Sequence, residues 1–221
     1  MFDRQKIGVI VAEFVGTFIL ASVAIGAAGY FNFTAPWYVS IAVGMTLAGL
    51  VAMIGRVSGA HVNPAITIGL WTLRKVPTPK AIVYVASQML GGATALAFVE
   101  YVTNNDIVQQ GFSTIDSRIF VAEMMGAAVF GMGVAAAVLQ KLEGFYLAFA
   151  VGVSLMIGIL VASIAAPGYL NPAVALANNT WDWTVVVAPV LGAVVGMNVY
   201  SLFLAPTSSL KSSAKTSRKK K

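Results

Sequence analysis

Few side chains in this chain have the means to do chemistry. Its 221 residues include one histidine, His61, no cysteine and eight carboxylates. Disulfides, thiolate catalysis and Cys-based metal sites are therefore excluded. Too little remains for a metal cluster or a nucleophile–base pair, so neither a cofactor nor an enzyme activity is expected. What the chain does repeat is a polar triplet: Asn63-Pro64-Ala65 and Asn171-Pro172-Ala173. Proline is favoured at the first helical position, where its missing N–H is no loss. Asparagine just before it is a strong N-cap. Each triplet thus marks a helix start, at Pro64 and at Pro172. Each such end carries about half a positive charge and unpaired N–H groups. The chemistry on offer is hydrogen-bond donation and cation repulsion.

The surroundings say where these helix ends lie. The chain is 58% hydrophobic and only 10% charged, against about 25% charged in a soluble domain. It reads as an all-α integral membrane protein. Six stretches reach the ~20 apolar residues a span needs: roughly 7–29, 38–55, 81–103, 119–139, 145–166 and 184–205. The first contains Glu13 and lacks a clear small-residue cleavage site, so it is not a cleaved leader. Six spans put both termini on one side. That side collects thirteen of the fourteen Lys and Arg residues, and Arg118 alone falls on the other. By the positive-inside rule both termini are cytoplasmic, and a plasma membrane location is expected.

Two further apolar segments, about 57–74 and 167–180, contain the triplets and are too short to cross and return. They read as re-entrant half-helices, which are tolerated only where protein buries them or where they line a wet cavity. The halves also repeat. Ala12-Glu13 recurs as Ala122-Glu123, an offset of 110, and the triplets are offset by 108. Three spans per half is an odd number, so the halves have opposite topology, and their half-helices meet at the midplane. Residues 7–205 form one unit, with repeats at about 7–103 and 119–205, between a short N-terminus (1–6) and a basic tail (206–221).

In that arrangement two positive helix ends face a narrow pore and repel cations, including hydronium. Asn63 and Asn171 cap with their oxygens and turn amide N–H groups to the pore. Gly59, Ala60, His61 and Val62 on one side, and Gly168, Tyr169 and Leu170 on the other, offer backbone carbonyls as acceptors. Glu13 and Glu123, inside spans, are costly and mark functional sites by default.

The chain resembles the aquaporin (major intrinsic protein) family over about residues 7–205. The resemblance rests on Ala12-Glu13 with Gly16-Thr17-Phe18, on Ser58 through Ala65 followed by Thr67-Ile68-Gly69, on Gln88, on Ala122-Glu123 and on the second triplet. It implies homotetramers with one pore per protomer, passing water and small neutral solutes. It also implies that Glu13 and Glu123 hydrogen-bond the triplet-bearing loops, and that His61 has a structural or pore-lining role.

One position departs from the family. Most members have arginine after the second triplet, as one of four constriction residues; here it is Val174. Counting from the triplets places the other three at Val43, Ile159 and Gly168. A slip to Ala42, Gly44, Gly158 or Leu160 leaves the set equally uncharged and non-aromatic. The constriction loses its fixed charge and strongest donors. If wide, it passes glycerol, urea or ammonia with water; if narrow, it dewets and favours apolar solutes. The small volume of Gly168 and two valines points to the wide case. The alternative is a poorly conducting junction or structural protein on the same fold.

Other features are ancillary. The tail, with Lys211, Lys215, Arg218, Lys219, Lys220 and Lys221, is a solvated segment or a contact for anionic lipids. Nucleic-acid binding is not expected. Gly16, Gly126, Gly131, Gly133, Gly192 and Gly196 read as close helix contacts. Trp37, Trp181 and Trp183 sit at span ends.

Overall fold

The computed structural model describes residues 4–30, 35–106 and 116–206. These form eight α-helices in chain order: α1 (Arg4–Tyr30), α2 (Pro36–Ile54), α3 (Pro64–Thr72), α4 (Thr78–Val102), α5 (Ser117–Leu139), α6 (Gly144–Ala162), α7 (Pro172–Ala177) and α8 (Trp183–Val199). The last continues as one π-helical segment, Tyr200–Leu204. Among the described residues there is no strand. Six helices are long and apolar enough to cross a membrane. The basic tail, the first three residues and most of the 104–118 loop lie outside the described residues.

The helix starts follow from the sequence. Proline opens α2, α3 and α7. Asp116 caps α5 through the Arg118 amide, and Asp182 caps α8 through the amides of Thr184 and Val185. Two boundaries differ from the apolar runs. The first helix begins at Arg4, inside the expected polar terminus. Helix α6 ends at Ala162, not 166. There the apolar run continues into a turn, because Pro167 cannot continue a helix and Gly168 is left-handed.

The two halves correspond element by element, α1–α4 with α5–α8. Helix α1 packs on α4, and α5 packs on α8; α2 crosses α6 between them. The half-helices α3 and α7 have nine and six residues, about 14 and 9 Å at 1.5 Å per residue. Neither reaches across a ~30 Å apolar layer. Each lies chiefly on the last span of the opposite half, α3 on α8 and α7 on α4. The halves are thereby locked through their shortest elements.

With lipid-like residues on both sides of every helix, contact depth rather than hydrophobicity sets the packing. Glycines supply the depth. Gly44 and Gly152 face each other's carbonyls across α2 and α6, and Gly126 and Gly158 do the same across α5 and α6. Gly192 and Gly196 of α8 admit the Met124 and Ala128 carbonyls of α5. A Cβ on Gly126 would stand 2.5 Å from the Gly158 oxygen and 2.8 Å from Leu170 Cδ2. Gly126→Leu is therefore expected to separate α5 from α6 and push Leu170 out of place. Overpacking of this kind costs about 1–3 kcal/mol or more. Thermal unfolding in detergent should show a clearly lower midpoint, whereas Gly26→Ala, which meets open space, should not move it.

Candidate functional site

The site is built where the two re-entrant loops meet. Both loops use the same unusual backbone. Ala60 and Val62 have positive φ of 49° and 43°, and their counterparts Gly168 and Leu170 have 75° and 52°. A β-branched residue such as Val62 is a genuine outlier there, and such strain persists only where the surroundings over-determine it.

The surroundings here are two buried carboxylates. Glu13 on α1 accepts from the backbone N–H of His61 (3.0 Å) and of Val62 (2.8 Å). It also accepts from Gln88 Nε2 at 2.7 Å. Glu123 on α5 accepts from the N–H groups of Gly168, Tyr169 and Leu170 at 2.8–2.9 Å. These bonds satisfy amides that no helix pairs. The side chains at the strained positions then drop into glycine notches: Val62 against Gly16 of α1, and Leu170 against Gly126 and Gly158.

Each asparagine does two jobs. Asn63 Oδ1 accepts from Ala65 N–H at 2.8 Å, and its Nδ2 donates to the Leu170 carbonyl at 2.9 Å. Asn171 Oδ1 accepts from Ala173 N–H, and its Nδ2 donates to the Val62 carbonyl, both at 3.0 Å. Every cap is thus also a cross-link to the opposite loop. A carboxamide has two N–H groups, so one remains to each asparagine. The sequence alone offers both N–H groups of each amide to the pore and the Val62 and Leu170 carbonyls to a solute; pairing of the caps takes one N–H of each asparagine and both carbonyls.

A polar chain continues from Glu13. Gln88 Nε2 donates to Thr67 Oγ1 at 2.9 Å, and Thr67 donates to the Asn63 carbonyl at 3.0 Å. His61 Nδ1 lies 3.1 Å from the same hydroxyl. The direction of that bond follows the tautomer of the ring. Thr67 and Gln88 thus hold His61 in place.

A cavity of about 360 Å³ reaches this centre. Pro36 and residues 164–167, His61 and Val62, and both Asn63 and Asn171 border it, as do Val43, Ile159, Gly168 and Val174. The neighbouring positions are used elsewhere. Gly44 and Gly158 make the helix crossings, and Leu160 faces outward. Tyr169 borders the cavity, whereas Gly59, Ala60 and Leu170, read from sequence as lining, do not. Leu170 is fully buried in its glycine notch. Arg118 does not supply the missing cation: it is exposed and pairs with Asp116 at 2.7 Å. Hydrogen bonds from Arg118 hold the Asp116 carboxyl down at about 2. That lowered carboxylate keeps its charge above this range and loses the pair only as the pH falls through about 2. Being exposed, the pair adds little stability.

Sequence reasoning passed over Asn178. It caps the C-terminal end of α7, borders the cavity and donates from Nδ2 to the Val174 carbonyl at 2.8 Å. Its spacing of four from Val174 on a helix was the available signal.

The sequence profile of the family described as Major intrinsic protein matches residues 3–200. The chain belongs to the major intrinsic protein family. Aquaporin Z of Photorhabdus laumondii is 30% identical over 226 residues, covering 88% of this chain and 96% of that protein. Aquaporin NIP3-1 of Oryza sativa is 31% identical, covering 89% of this chain and 67% of that protein. The X-ray structure of the aquaglyceroporin from Plasmodium falciparum superposes with a TM-score of 0.76 at 23% identity, covering 92% of this chain and 99% of that one. That likeness is one of fold. As a member of the family, the protein is a membrane channel and not an enzyme. Among the described residues no cluster of His, Asp and Glu could hold a metal ion.

Glu123→Gln tests the bracing. A glutamine offers one acceptor oxygen and one NH₂, so at least one of three backbone N–H groups would face a donor. An unsatisfied buried group costs about 1–3 kcal/mol. The variant should melt lower in detergent and lose most of its solute flux in vesicles, since the second loop would no longer be held.

Proposed function

We propose that this protein is a passive, ion-excluding channel for water and small neutral solutes such as glycerol, urea and ammonia, with an apolar constriction. The carrying observation is the cavity that the collar of Val43, Ile159, Gly168 and Val174 and both asparagines border. A solute there meets hydrocarbon and the remaining N–H group of each asparagine. The ends of α3 and α7 add positive potential from two directions. That potential opposes cations although no arginine follows the second triplet. The small volume of Gly168 and the two valines supports the wide reading of the constriction.

The pore proper comprises Asn63, Pro64, Ala65, Asn171, Pro172 and Ala173 as the central pair of caps. His61, Val62 and Tyr169 lie alongside, with Glu13 and Glu123 as braces. Residues 7–205 form the channel unit. The assembly is a homotetramer with one pore in each protomer. The charge asymmetry of the loops supports cytoplasmic termini in a plasma membrane, and the lysine-rich tail suits a contact with anionic lipid headgroups.

Stopped-flow light scattering on proteoliposomes tests the constriction directly. Val174→Arg narrows the collar and restores a fixed donor. It should cut glycerol and urea flux severalfold more than water flux. Equal solute flux in both proteins sinks the placement of position 174 at the constriction. Bilayer recordings of the native chain should show no appreciable ion current; a steady cation conductance refutes exclusion by the helix ends.

A further inference from the structure

We propose that the turn ending α3 is a binding site for the headgroup of an anionic phospholipid of the inner leaflet. The leaflet rests on the orientation proposed above. Arg74 and Lys75 stand between α3 and α4, and Lys80 in the first turn of α4; all three are exposed. No carboxylate occurs between Glu13 and Glu100. Glu13 is buried and committed to the first loop, and Glu100 lies near the other end of α4. Lys80 is held over the Tyr84 ring, 4.9 Å from its centre. Arg74 and Lys75 have no ion pair and no side-chain hydrogen bond among the described residues. The backbone fixes where they stand. Leu73 caps α3, and Arg74, next along, is left-handed with φ of 56°. That position favours glycine, so a cation is kept there at a conformational cost. The N–H of Arg74 donates to the Trp71 carbonyl and that of Lys75 to the Leu70 carbonyl, both at 2.9 Å.

The same place offers apolar surface to acyl chains. Trp71 is 44% exposed, and its indole N–H donates to Thr78 Oγ1 at 3.0 Å, which holds the ring beside the turn. Tryptophan is enriched at the membrane–water boundary. Ile82, on the next turn of α4, is exposed. Asn198 Nδ2 donates to Thr72 Oγ1 at 2.9 Å. That bond ties this end of α3 to the end of α8, where Leu202 is exposed as well. Unpaired cations beside outward apolar residues suit a phosphate whose chains remain in the layer, and cations near the membrane surface attract anionic lipids. A free phosphate would use the cations alone. The site stands at the foot of the half-helix that begins at Asn63, so a bound headgroup steadies the first half of the centre.

The test follows the melting midpoint of the full chain in a neutral detergent, titrated with phosphatidylglycerol, phosphatidylcholine or inorganic phosphate. A ligand of the folded state raises the midpoint. Phosphatidylglycerol should raise it to a plateau, and the other two should not. Each cation is worth about fivefold in affinity for an anionic surface. Arg74→Gln/Lys75→Gln should therefore need roughly 30-fold more phosphatidylglycerol for half the rise, and Lys75→Gln alone about fivefold more. Arg4→Gln/Arg56→Gln removes equal charge elsewhere and should leave the native titration in place. A flat native titration overturns the proposal. So does an equal loss in both double variants, which marks diffuse surface charge, and so does a rise with phosphatidylcholine or phosphate. The orientation is read separately. The chain has no cysteine, so Lys75→Cys supplies one thiol, which a membrane-impermeant maleimide outside intact cells should not reach. Labelling there overturns the orientation, and the inner-leaflet assignment with it.

Discussion

Backbone amides at membrane depth must find partners inside the protein, and the whole structure turns on how two non-helical loops meet that demand. Neither loop has a sheet or a helix to pair with. Each is given one carboxylate instead, Glu13 for the first and Glu123 for the second, set on the first span of its own half. A carboxylate accepts several N–H groups at once, which no neutral side chain of that size does. It can therefore hold left-handed conformations at Val62 and Leu170 that the residues themselves disfavour. Because both loops are held in one shape, the helices that follow begin at defined points in the middle of the layer.

The cross-pairing of the asparagines follows from that placement. Once the two helix starts are back to back, the amide of each cap reaches the last carbonyl of the other loop. The two halves then fix each other, and a small error in one loop is transmitted to both caps. Close approach of the spans is the other requirement. Glycines at the α5–α6 and α2–α6 crossings and along α8 bring backbones within reach of one another. The α5–α6 notch also receives the side chain of Leu170, and Gly16 of α1 receives that of Val62. Packing and loop geometry are thus one device. Gly126, for example, serves the helix crossing and the second loop together.

The frame also decides which side chains border the cavity. Val43 comes from α2, Ile159 from α6, Gly168 from the loop and Val174 from α7. None of the four carries charge, and the polar side chains of His61, Asn63, Ser163 and Asn171 border the same cavity. In the family to which the chain belongs, the usual arginine would compete with these groups for a solute.

Much of this was legible from the residues alone. The six apolar runs, the doubled triplet, the offset of about 108 residues and the two glutamates determined the class of fold and the elements of the centre, because each is a local or periodic constraint. The four positions counted along the helices all border the cavity. What the chain by itself did not determine was the use of second valences: which N–H of Asn63 remained free, that the Val62 and Leu170 carbonyls were taken, that Thr67 and Gln88 would orient His61. Those depend on groups more than a hundred residues apart, or on spans packed side by side, and no periodicity records them. Asn178 belongs to the same class. Its type and spacing are plain in the sequence, but only the packing of α7 against its neighbours left its oxygen buried and unpartnered.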